Sequence, residues 1–136
     1  MKEIWNTARS LVTILGGTIG WFFGEMDGFF YALLAFVVLD YVTGLMCGIL
    51  SKTLSSEVGF KGICKKLAIF VMVGIAHILD AEVIGTGSVL RTAILFFYLS
   101  NEGISILENC GRLGLPIPQK LKDVLAQLKT KSEDEE

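Results

Sequence analysis

GFFYALLAFVVLDYVTGLMCGIL, running from Gly28 to Leu50, decides how the chain folds, because only Asp40 among its residues is charged. A helix rises about 1.5 Å per residue and a bilayer's hydrocarbon core is about 30 Å thick, so roughly twenty apolar residues suffice to cross it. Working outward, three further segments fit the same description: Ile4 to Phe23, Leu67 to Ile84 and Val89 to Leu107. One such helix can form the core of a soluble bundle. Four in series within 136 residues leave almost no chain to wrap them. The expectation is an all-α, polytopic membrane protein whose transmembrane domain occupies residues 1–115, with spans at about 4–23, 28–50, 67–84 and 89–107. The first is the weakest, being short at its apolar centre and rich in glycine, and a three-span arrangement with that segment at the interface is the alternative.

Lysine and arginine placement orients the spans, since cytoplasmic loops are enriched in both. Lys2 and Arg9 open the first span, and Lys52, Lys61, Lys65 and Lys66 lie between the second and third. Arg112, Lys120, Lys122, Lys129 and Lys131 follow the fourth, and only Arg91 falls on the other side. The two opposite connections carry Glu25, Asp27, Asp80 and Glu82 without a lysine. Both termini are therefore expected on the cytoplasmic side of the membrane. A removable signal peptide is not expected, because Ser10 to Gly24 lacks an Ala-x-Ala-type cleavage site and more apolar segments follow. Cys47, Cys64 and Cys110 fall toward the reducing side, where free thiols are the expectation.

Pro116 and Pro118 stop any helix after the fourth span. The region 116–136 then reads as a cytoplasmic amphipathic helix over Gln119 to Lys131, followed by a disordered acidic tail, Ser132 to Glu136. Leu121, Val124, Leu125 and Leu128 recur at helical spacing and form its apolar face, suited to the inner leaflet or to a partner helix.

The composition, 52% apolar and 19% charged with a net charge of −2, offers no basic excess for nucleic acid. No nucleophile–histidine pairing, phosphate-binding loop, dinucleotide fingerprint or metal-ligand spacing is present, so neither enzymatic activity nor a cofactor is expected. What needs explaining lies inside the spans. An acidic side chain at a span's centre costs about 2.5–3.5 kcal/mol on insertion scales, so Asp40 must face protein or water. Glu102 is comparable, about 16 Å deeper than Arg91 along the fourth helix. Arg91, Tyr98, Glu102, Ser105 and Asn109 share one stripe, with Asn101 beside it. That stripe either packs against Asp40 and His77 or lines an aqueous path. His77 reads as an interhelical hydrogen-bonding residue. Gly16, Gly20 and Gly24 on the first span, and Gly44 and Gly48 on the second, recur every four residues, which lets helix backbones approach closely. Such faces serve either packing within one chain or association between copies.

Leu39-Asp40-Tyr41-Val42-Thr43-Gly44, Gly59-Phe60-Lys61-Gly62, Asn101-Glu102 through Ile106-Leu107-Glu108-Asn109, and Leu115-Pro116-Ile117-Pro118 together resemble the toxin-secretion/phage-lysis holin family. The resemblance covers roughly Phe30 to Leu128, and its most specific part runs from Asn101 to Pro118. It implies a non-enzymatic protein that accumulates in the cytoplasmic membrane, forms homo-oligomers and permeabilises the bilayer. A peptidoglycan hydrolase, or a large toxin, is the functional partner so implied. Two other functions compete: a small oligomeric ion or proton channel using Asp40 and Glu102, and a non-conducting scaffold that recruits a partner through its C-terminal helix.

Overall fold

The computed structural model describes residues 1–135, and among these the chain is helical throughout, with no strand. Five α-helices follow one another: α1 (Lys2–Phe23), α2 (Gly28–Leu50), α3 (Ser56–Ile78), α4 (Val89–Arg112) and α5 (Gln119–Glu135). A π-helical segment, Leu79–Ile84, prolongs α3. Gly28–Leu50 and Ser56–Ile84 are long and apolar enough to cross a membrane; α1 and α4 are long enough but fall short in apolarity.

The helix ends follow from local chemistry. The Asp27 carboxylate accepts from the Phe30 backbone N–H at 3.0 Å and starts α2. Ser55 does the same for Val58 at 3.2 Å, with Glu57 in the first turn complementing the helix dipole. α3 therefore starts at Ser56, well ahead of the span expected from Leu67. Hydropathy had assigned Lys61, Lys65 and Lys66 to a loop, but charged residues do not prevent a helix once its start is capped. Asp80, 1% exposed, accepts from the backbone N–H of Leu90 (3.2 Å) and of Arg91 (2.9 Å), so the π-helical segment caps α4 from outside. Gly85, at φ 88°, turns the chain out of that segment.

Phe30, Leu33 and Val37 from α2, Ile69 and Val73 from α3, and Leu95 and Leu99 from α4 form the core. α1 buries none of its residues fully. Its tie to the bundle lies at its end, where Phe23 stacks on Phe30 and Phe70 with ring centroids 5.2 and 6.3 Å apart.

α5 reverses after Gly114 and the two prolines and returns along α4. Leu125 is buried, Leu128 packs on the core, and Lys131 Nζ sits 5.1 Å from the centre of the Phe96 ring. The helix continues past the expected end at Lys131 to Glu135; Glu136 lies outside the described residues. Leu121 and Val124 remain exposed.

Candidate functional site: a charged layer across three helices

Asp40 is fixed by α2, Lys66 by α3 and Glu102 by α4, and the three meet inside the bundle. Lys66 Nζ donates to Glu102 Oε2 at 2.6 Å and forms a second ion pair with Asp40 Oδ2. Asn109, two helical turns beyond Glu102 on α4, donates from Nδ2 to Asp40 Oδ1 and to Thr43 Oγ1, both at 3.0 Å. The carboxylates are nearly inaccessible, with side chains 7% and 9% exposed, whereas Lys66 retains 21%. With both carboxylates ionised, one ammonium leaves the group with an excess negative charge. Such a group holds together only while its hydrogen bonds and its access to water persist.

Lys66 is the residue that sequence reasoning missed. It had been placed in a cytoplasmic loop with its neighbours. The available signal was the pair of intramembrane carboxylates itself, since two buried acids on adjacent helices call for a cation at the same depth.

Arg91 belongs to a second polar layer, about 16 Å along α4 from Glu102. Only 5% exposed, it donates from Nε to the Phe23 carbonyl at 2.8 Å and from Nη2 to the Glu25 carbonyl. Its Nη1 pairs with Asp27 Oδ2 at 3.3 Å. One guanidinium thus satisfies the last carbonyl of α1 and one in the turn that follows.

The remaining expected site residues divide between these layers. His77 does not approach Asp40; its ring lies against Gly24, where an added Cβ would come 2.5 Å from Nδ1. Eleven residues of α3 separate it from Lys66, which puts it at the Arg91 end. Ser105 lines a cavity together with Asp40, Lys66 and Asn109. Asn101 is half-buried and takes no part in the hydrogen bonds of the charged layer.

The glycines also divide. Gly16 and Gly20 have open space where a Cβ would stand, with no atom of the described residues packed on them within 4 Å. Gly24 instead adopts φ 77° in the turn after α1. A Cβ at Gly44 would stand 3.8 Å from Asn109 Nδ2, and one at Gly48 would stand 3.3 Å from Leu54 Cβ. Two other close approaches were not singled out from sequence: Gly74 receives the Phe22 ring, and a Cβ at Gly103 would lie 2.8 Å from Leu125 and 3.1 Å from Phe36. The three cysteines are free, and among the described residues no group of three or more His, Cys, Asp or Glu side chains gathers as a metal site.

This arrangement, polar groups buried between helices that are otherwise apolar, is that of a helical membrane protein. A family model described as the bacteriophage holin family matches residues 17–130, and the chain belongs to that family. It is 46% identical over 121 residues to Lin0175, an uncharacterised protein of Listeria innocua, covering 89% of this chain and 86% of that one. An uncharacterised 14.9 kDa Clostridium perfringens protein in the nagH 3′ region is 45% identical over 131 residues, 96% of this chain and 99% of that one. YqxH of Bacillus subtilis, also uncharacterised, is 33% identical over 101 residues, 74% of this chain and 71% of that one. No solved structure matches the chain.

Proposed function

We propose that the protein is a holin that assembles into homo-oligomers in the bacterial cytoplasmic membrane and permeabilises it. The lesion releases a cell-wall hydrolase or a large toxin. The observation that carries this reading, beside family membership, is the Asp40–Lys66–Glu102 layer. It hides charge between three helices that lipid must surround, and it becomes water-exposed if those helices part.

Lysine placement supports four spans with both ends inside once α5 is released; docked along α4, α5 instead carries its own end back toward the Arg91 side, which requires an aqueous flank there. Lys131 of α5 lies at Phe96, only five residues past Arg91, so α5 runs alongside the part of α4 assigned to the bilayer. Lys122 and Asp123 are exposed on the outside of α5. Lipid does not accommodate such a surface. That flank faces water in an assembly, with α5 docked over α4 as its lining. Released, α5 has an apolar face of Leu121, Val124, Leu125 and Leu128 for the inner leaflet. The open Gly16 and Gly20 positions of α1 are available to another protomer.

In this account the charged layer is closed while the membrane is energised and opens when the assembly rearranges. One elementary charge moved across about 100 mV is worth roughly 2.3 kcal/mol, enough to bias a two-state assembly. Reconstituting the purified chain into vesicles loaded with tracers of graded size tests the reading. Escape of dextrans as large as a folded enzyme is expected. Passage of small ions alone would instead indicate a channel, and full retention a non-conducting scaffold.

A further inference from the structure

A cavity of about 1010 Å³ opens beside the charged layer, reaching Asp40 and Lys66 at its inner end. It lies between the ends of α2 and α4, the start of α3 and the loop after α2. Three features define what it would hold. Its wall carries three cations, Lys65, Lys66 and Arg112, against one acid, Asp40. Lys66 is already committed to Asp40 and Glu102. Lys65 and Arg112 are exposed, project from two different helices, and form no ion pair among the described residues. The floor offers hydroxyl groups from Ser51, Thr53 and Ser105. The sill is apolar: Leu50, Leu54 and Val58 line the same cavity and are 72%, 40% and 57% exposed.

We infer that this cavity binds the headgroup of an anionic phospholipid, with the phosphodiester between Lys65 and Arg112. Two unpaired cations supply the charge complement for a phosphate, and the hydroxyl-lined floor suits a polyol headgroup such as phosphoglycerol. The exposed leucines and valine continue the site toward acyl chains, which a soluble phosphate does not possess. The volume sits at the upper end of the roughly 300–1,000 Å³ typical of small-molecule sites, room for a headgroup and its first chain carbons. The inference rests on the reading that this end of the bundle lies at the inner leaflet, but it does not require that the protein open a lesion. The bound lipid would join α3 to α4 beside Lys66, making the closed layer sensitive to membrane charge.

Binding is measured on the purified full chain in neutral detergent, by native mass spectrometry with added phosphatidylglycerol, phosphatidylcholine or glycerol 3-phosphate. Selective retention of phosphatidylglycerol is expected. Each basic residue near an anionic lipid surface contributes roughly a fivefold change in affinity. Lys65→Gln and Arg112→Gln should therefore each weaken retention about fivefold, and Lys61→Gln, which lies outside the cavity, should leave it unchanged. Circular dichroism confirms that the variants fold, and Lys65→Arg should retain the lipid. Equal retention of the two lipids, or full retention by the Lys65→Gln/Arg112→Gln double variant, would overturn the assignment. So would competition by glycerol 3-phosphate as effective as that of the lipid, which would mark a soluble-phosphate site.

Discussion

Lys66 occupies the decisive position at the residue scale. Replaced by methionine, it leaves Asp40 and Glu102 buried side by side without a cation. Removing one partner of a buried ion pair costs about 3–5 kcal/mol, and the 21% exposure of Lys66 places this case at the lower end. The expected result is a clear drop in the thermal midpoint of the detergent-solubilised protein. The triple variant Asp40→Asn/Lys66→Met/Glu102→Gln removes every charge of the layer and should recover most of that loss. A triple variant no more stable than Lys66→Met would show that the layer is not the electrostatic unit described. Asp40 and Glu102 were legible in the sequence because an acid inside an apolar run has no bland explanation. Lys66 was not, because it adjoins Lys65 at the edge of such a run and reads as part of a basic loop. Which face of α3 each lysine takes is decided by packing, to which linear hydropathy is blind. His77 illustrates the converse: its chemistry invited pairing with Asp40, but its position along α3 puts it beside Gly24.

At the scale of elements, α2 was legible to the residue, since Asp27 caps it and only Asp40 interrupts its apolar run to Leu50. The start of α3 was not, because a polar helical half looks like a loop when judged by hydropathy alone. The existence of α5 was legible from its leucine spacing, but its docking was not, because the spacing shows that a face is apolar without showing what covers it. Gly103 is where that docking is most sensitive. Gly103→Val places branched carbons against Leu125 and Phe36, an overpacking that costs about 1–3 kcal/mol. The expected outcome is release of α5, read as faster tryptic cleavage at Lys120 and Lys122 with the rest of the bundle still protected. Unchanged cleavage would place the α4–α5 contact outside the resting state. Deleting residues 119–136 should shift the time of lysis onset while leaving membrane insertion intact. Loss of insertion would make α5 a folding element rather than a regulator.

For the whole molecule, two stretches are apolar enough to cross a bilayer on their own terms, and α1 and α4 are not; in the proposed arrangement they cross as well, carried by their packing. α4 is polar on the side where Arg91, Glu102 and Asn109 are satisfied by neighbouring helices, so its apolarity is low for the same reason that it packs. α1 is held mainly at one end, by Arg91 and Phe23, and leaves its glycine face free. The core lies in α2, α3 and α4, and in the proposed assembly α1 and α5 are the outer helices that change partners as copies gather. Asp40→Asn and Glu102→Gln should each change when lysis begins without changing how much protein inserts, as followed by culture density and membrane immunoblot; unchanged onset in both would remove the charged layer from the mechanism. The most direct measurement is induced expression in a bacterium carrying a large cytoplasmic reporter enzyme, with the medium assayed through time. The account predicts a period of undisturbed growth, then abrupt loss of viability with the reporter reaching the cell envelope and, once a cell-wall hydrolase is supplied, the medium. Depolarisation with the reporter fully retained in the cytoplasm, or continued growth at the same membrane level of the protein, would contradict it.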